Sequence, residues 1–375
     1  MSLTRRLLLT GAAAGLAMPA LRPARAAETV YIGVSGPLTG PNAQYGAQWK
    51  DAFDLALEEV NPKAQRQIQY IFEDSQSDPR QSVAIAQKFV NDSRIVMELG
   101  DFSSPASMAA SPIYQRAKLV QFGFTNSHPD FTKGGDYMWS NSISQAEEQP
   151  SLAEFAIAGL SRKRLGVIHL NTDWGVTSKN LFAAAVKEKG GEITAQEGFL
   201  PNERDFRSTL VRIRDSNPDG IVLIAYYADA ATITRQIRTM GLPQTIVAVS
   251  SVYSPKLIEL GGEAVNGVHC QSNFFPDEPR AEVQAFVEKF KAKYNREPDN
   301  FNATAYDTMM LASKLVNDYG ATRAAIREGI AKVSLPSVIY GTMSFDSATR
   351  RVNGARYKRL VVKDGKFALW EQGQA

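Results

Sequence analysis

Short apolar runs alternate with amphipathic helical ones along most of this chain, and that alternation restricts its fold more than any single motif does. Residues 30–35 form a short β-rich run, and within 45–60 the side chains of Phe53, Ala56 and Val60 fall on one helical face. The same reading predicts strands at 68–73, 95–99 and 119–122, separated by helices at 79–91 and 105–116. A second series begins near Gln145. It predicts a helix around 152–159, a strand at 165–170, a helix running to Lys189, a strand ending at Phe199 and a helix at 206–215. A strand at 220–225, a helix carrying Ile233, Ile237 and Met240, and a strand at 246–249 complete it. Such alternation implies an α/β fold with two parallel sheets, each covered by helices.

The tail breaks the rhythm. Val283, Phe286, Val287, Phe290 and Tyr294 mark one amphipathic helix; helices at 303–318 and 321–332 follow, then β-like pieces at 341–345, 357–363 and 367–371. Three helices make a poor third domain. They are better used by returning to the first sheet, with the terminal strands added to the second. One lobe is then expected from 27–144 plus 274–338, and the other from 145–273 plus 339–375. A chain that crosses repeatedly between two lobes is built like a hinge.

The first 26 residues belong to neither lobe. Arg5-Arg6 precede an Ala/Gly-rich apolar stretch, and Ala24-Arg25-Ala26 supplies an A-x-A cleavage signal before Ala27. The segment reads as a secretory leader of twin-arginine type, with the basic Arg22 and Arg25 near the cut suiting that route. Its apolar run is shorter than the roughly 20 residues that span a bilayer. No other segment is apolar enough to do so, and a soluble, periplasmic protein without membrane insertion is expected. The leader holds four arginines and no acid, so the whole-chain charge of +3 becomes a slight acidic excess once it is removed. The basic balance is therefore no argument for nucleic acid.

Catalytic and metal signatures are missing. Cys270 is the only cysteine, which excludes an internal disulfide and cysteine-based zinc sites. His128, His169 and His269 share no ligand spacing, and His169 and His269 sit in strand-like runs where packed histidines are common. No G-x-S-x-G elbow, Walker loop or G-x-G-x-x-G is present. The chain is not expected to be an enzyme, and it calls for no cofactor and no metal.

In open parallel sheets, ligands sit at the carboxyl ends of strands beside helix N-termini. The run Leu99-Gly100-Asp101-Phe102-Ser103-Ser104-Pro105 fits that rule. Pro105 suits the first residue of a helix, which makes Ser104 the expected N-cap, and its hydroxyl with the free N–H groups would hold a carboxylate. Spacing alone leaves open a plain capping role. Thr125 and Asn126 end the next strand, where they are either ligand contacts or ordinary turn formers. Aromatic side chains follow three other strand ends: Tyr45, Trp174, and the pair Tyr226-Tyr227. Such rings suit a ligand with an apolar body and a polar end.

These pieces together resemble the leucine/isoleucine/valine-type periplasmic solute-binding proteins of ABC importers, the leucine-binding family with the type I periplasmic binding fold. The resemblance rests on GVSGPLTGPNAQYG at 33–46, Glu73-Asp74 with Asp78-Pro79, Ser103-Ser104, Gly123 to Asn126, Asp173-Trp174-Gly175, Asp205-Phe206 and Ala225-Tyr226-Tyr227, in that order. It implies two Rossmann-like lobes joined by three crossover segments, closing on one small ligand that is passed to a membrane ABC permease. A monomer is expected, with transport as its role; a ligand sensor that docks onto a receptor is the alternative, since one fold serves both. The resemblance also implies that Ser104 and Thr125 hold a ligand carboxylate beside the Phe124 backbone, with Ser103 also at the site and Tyr45, Trp174, Tyr226 and Tyr227 as walls. One departure stands out. Amino-acid binders of the family carry an acid after the strand at 246–249, and this chain has Ser250 there. A buried ammonium without a carboxylate partner is costly. Ser250 therefore favours an aromatic or 2-oxo acid over an amino acid, unless Asp229 or Asp101 supplies the missing charge.

Overall fold

The computed structural model describes residues 28–354 and 356–371; the leader lies outside them. The first series forms β1 (Glu28–Gly36), α1 (Ala43–Val60), β2 (Arg66–Asp74), α2 (Pro79–Asn91), β3 (Ile95–Gly100), α3 (Ser104–Arg116), β4 (Val120–Phe122) and the short β5 (Met138–Trp139). Its five strands are ordered β2-β1-β3-β4-β5, and every pairing is parallel. The second series runs α4 (Gln145–Glu154), β6 (Arg164–Leu170), α5 (Asp173–Glu188), β7 (Glu192–Phe199), α6 (Arg207–Asp215), β8 (Gly220–Ile224), α7 (Tyr227–Thr239), β9 (Thr245–Ala248), α8 (Pro255–Gly261) and β10 (Val268–Ser272). The tail adds α9 (Ala281–Tyr294), α10 (Asn300–Lys314), α11 (Arg323–Ile330), β11 (Leu335–Ser337), β12 (Gly341–Met343), β13 (Lys358–Lys363) and β14 (Lys366–Leu369).

The second sheet has seven strands, ordered β14-β13-β10-β9-β8-β6-β7. Its core is parallel, and β13 joins β10 in the antiparallel sense. Central strands such as β8 are buried along their whole length, which is why they read as continuous apolar runs rather than alternating ones. The tail helices return to the first sheet: α10 packs on α1, and α11 on β3 and β4. The expectation that all three terminal β pieces join the second sheet holds for two of them. The first pairs instead with β11 as a separate antiparallel ribbon, Leu335 opposite Met343, beside the crossing point.

The chain thus passes between the sheets after β5, after β10 and after α11. The crossings are tied to one another. Buried Asp307 on α10 accepts the Ser337 hydroxyl at 2.5 Å and the N–H groups of Val338 and Ile339 at 2.9 and 3.1 Å. Tyr340 donates to the Asn141 carbonyl, joining the third crossing to the first.

Two glycines let the helices after β1 and β6 start close to their strand ends. A Cβ on Gly46 would lie 1.9 Å from the Pro37 carbonyl oxygen, and one on Gly175 would lie 1.9 Å from that of Leu170. Each follows an aromatic residue, Tyr45 or Trp174. The same device, an aromatic–glycine pair in the first helical turn, therefore aims one ring from each sheet at the space between them.

Candidate functional site

A cavity of about 70 Å³ lies where the strand ends of the two sheets face each other. Phe102, Phe124 and Phe301 contribute from the side of the first sheet, and Trp174 and Tyr226 from the second. The rings form a connected layer. Trp174 stacks on Tyr226 with centroids 5.0 Å apart, and Tyr226 meets Phe102 at 4.9 Å. The Trp174 indole donates across the gap to the Ser127 hydroxyl at 3.1 Å. His128 also spans it, within 3.2 Å of Asp173 and 3.1 Å of Thr177, although burial pulls its imidazole below the usual range.

Of the residues expected at the site, Phe124, Thr125, Trp174, Tyr226 and Ser250 line this cavity. The Thr125 hydroxyl is buried and has no hydrogen-bond partner. Tyr45 and Tyr227 stand behind the lining and bridge the lobes instead. Tyr45, fully buried and stacked on Phe102 at 3.7 Å, donates to the Ser251 carbonyl at 3.0 Å. Tyr227 donates in the opposite direction, to the Pro41 carbonyl at 3.1 Å.

The helix after β3 begins one residue earlier than expected. Ser103, not Ser104, is the N-cap; its hydroxyl accepts the Ala106 N–H at 3.4 Å, and Pro105 is the second helical residue. The shift has a visible cause, because the Asp101 carboxylate accepts the Ser103 N–H at 3.2 Å and fixes the turn there. Ser104 is buried inside the first turn, and Ser103 lines a second chamber of about 180 Å³. Phe102 occupies the stretch of cavity wall expected of the serines.

Neither proposed counter-charge faces the cavity. Asp101 is buried against the hydroxyls of Ser35 and Ser82, at 3.1 and 2.9 Å. Asp229 lies in the second chamber with Arg204, its carboxyl pushed up to about 6 by burial. Tyr226 lines both spaces and separates them.

The acid that does face the cavity is one the sequence reading passed over. Glu148 lies in the first turn of α4, only 2% exposed, and accepts the Ser250 N–H at 2.8 Å. Burial pushes its carboxyl up, and the Ser250 and Gln271 contacts pull it back. The case against an amino-acid ligand assumed no carboxylate beside Ser250; that premise is corrected. The backbone of Ser250 holds the acid in place rather than replacing it. A capping box of Ser144 and Glu147 fixes where α4 starts, and thereby where Glu148 points.

Comparisons with known proteins agree with this geometry. Residues 29–366 match the periplasmic binding protein family. The Leu/Ile/Val-binding protein homolog 1 of Brucella abortus is 25% identical, over 92% of this chain and 94% of its own. The structure of the leucine-binding protein LivK of Thermotoga maritima superposes with a TM-score of 0.86 at 26% identity, covering 91% of this chain and 98% of that one. A solute-binding protein of an ABC transporter from R. palustris, in complex with 4-hydroxybenzoate, shares the fold, with a TM-score of 0.84 at 20% identity over 92% and 96% of the two chains. The chain belongs to the periplasmic binding protein family, with the two-lobed α/β architecture of its leucine-binding members.

Proposed function

We propose that this protein is the exported solute-binding component of a branched-chain-amino-acid-type ABC importer, closing two lobes on one small carboxylate ligand for delivery to a membrane permease. The observation that carries the reading is the cavity whose walls come from both sheets and whose lining includes the unpartnered Thr125 hydroxyl. That hydroxyl is free to donate to a carboxylate from the position the resemblance implies. The names of LivK and the Brucella relative support an aliphatic amino acid. The benzoate complex supports only the capacity of the fold for an aromatic acid. Export rests on the leader with Arg5-Arg6, and replacing that pair by Lys-Lys should leave unprocessed precursor in the cytoplasm.

A thermal-shift panel of amino acids, 2-oxo acids and aromatic acids tests the reading. A true ligand at 100 times its Kd stabilises the fold by about 2.7 kcal/mol, a shift that is easy to see. A folded protein that responds to no member of the panel would refute it.

A further inference from the structure

We propose that Glu148 is the group that recognises a ligand's cationic end, and that it makes the cleft selective for amino acids over the matching 2-oxo acids. The inference rests on the cavity being the ligand site, and it goes further by naming the chemistry at one end of it.

The cavity is unbalanced in its polar groups. Besides the Glu148 carboxylate, Asn273 and Asn300 each present a buried Oδ1 that has no hydrogen-bond partner. Among the described residues, no lysine, arginine or histidine lines the cavity. A buried carboxylate and two orphaned carbonyl oxygens thus belong to residues that line one cavity with no cationic side chain among them. Buried acceptors left unmet are costly, and an uncompensated buried charge more so. A primary ammonium supplies the positive charge that the lining lacks, together with three N–H donors for such acceptors. A 2-oxo acid brings only acceptors, and would set its oxygen against theirs.

The acid is also held for this task. Its Oε1 takes the Ser250 N–H, and its own main-chain carbonyl takes the Gln271 amide at 3.1 Å. Gln271 is fixed in turn by the Ser151 hydroxyl at 3.0 Å. The carboxylate thus enters from α4 while its support comes from residues following β9 and within β10. Thr125, on the same lining, is left to donate to the ligand carboxylate. The other acids near the cleft are spent elsewhere: Asp101 on serine hydroxyls, Asp229 beyond Tyr226.

The test is calorimetric titration of the purified protein with leucine and 2-oxo-4-methylpentanoate, with valine and 2-oxo-3-methylbutanoate, and with 3-methylbutylamine, which keeps the ammonium and drops the carboxylate. We expect each amino acid to bind at least about tenfold more tightly than its oxo acid. Glu148→Gln keeps an acceptor for the Ser250 N–H but loses the charge. It should weaken amino-acid binding at least about tenfold and leave the oxo acids unchanged or tighter, with an unaltered circular dichroism spectrum. Glu148→Asp, which retains the charge on a shorter arm, should recover part of the selectivity and guards against a folding defect in the first variant. Equal or tighter binding of the oxo acids by the unmodified protein would overturn the inference while leaving the carboxylate-binding reading intact, as would selectivity unchanged in Glu148→Gln. Binding of the amine alone would support Glu148 and count against the carboxylate reading. Silence toward every probe would overturn both.

Discussion

Removing two hydroxyl groups that line no part of the cavity should weaken ligand binding. Tyr45 stacks on Phe102, lies 4.6 Å from Phe301 and 5.0 Å from the second-lobe ring of Tyr227, and makes its hydrogen bond to the second lobe through its hydroxyl. Tyr227 mirrors it, with its ring on α7 and its hydroxyl on Pro41. Tyr45→Phe and Tyr227→Phe preserve both rings and delete one cross-lobe hydrogen bond each. Opening the cleft returns these groups to water, so each bond counts toward the closed state alone. A net hydrogen bond is worth about 0.5–1.5 kcal/mol, which is about a 2- to 13-fold change in the closure equilibrium. Apparent affinity falls with the population of the competent state, so Kd should rise by the same factor in each variant. The loss should fall on koff, because the bonds form only after the lobes meet. The two rings are 5.0 Å apart, and the double variant measures whether the bonds act together. Calorimetry gives Kd, and dissociation from immobilised protein gives koff. Wild-type Kd and koff in both single variants would show that these bonds do not hold the lobes together.

Three further outcomes are expected. Ser103→Ala should cost about 0.5–2 kcal/mol in urea denaturation through the lost cap, and Ser104→Ala clearly less; equal losses would contradict the assigned helix start. Burial lifts the Asp307 carboxyl to about 6 from an ordinary 3.8. The folded state then holds that proton more tightly, so its contribution to stability is full below about pH 4, declines toward pH 6 and is gone above, by at most about 3 kcal/mol. Asp307→Asn should flatten the matching part of the Tm–pH curve, and parallel curves for the two proteins would refute the assignment. Tyr226→Ala removes the partition between chambers of about 70 and 180 Å³. Leucyl-glycine should then raise Tm in the variant and not in the parent; a dipeptide silent in both would show that Tyr226 is not the limit on ligand length.

The parallel sheets and most strand positions were legible because buried strands and amphipathic helices leave strong periodic signals. The start of α2 at Pro79 is legible locally, since an acidic cap at Asp78 and a proline at the first position specify a helix start. The start of α3 was off by one because Pro105 is acceptable at either of the first two positions, and the deciding contact runs from the Asp101 side chain. Glu148 was missed for a different reason. The run Gln145 to Pro150 reads as a solvated helix start, and what buries Glu148 comes from Ser250 and Gln271, over a hundred positions away. A local signal did exist. Ser144 with Glu147 is a capping-box pattern, which places Glu148 in the first helical turn and a full 100° around the helix from Glu147.

Trp174 stands at the boundary that moves. Its indole N–H is bonded to Ser127 across the cleft, whereas Trp49 and Trp139 are sealed inside the first lobe. Parting the lobes would hydrate one indole and leave those two in unchanged surroundings. The emission of the protein should therefore shift with closure against a steady background from Trp49, Trp139 and Trp370, the last packed on Phe155 away from the cleft. The molecule already carries an optical gauge of its own occupancy, and a ligand screen could be read from it without attaching a dye.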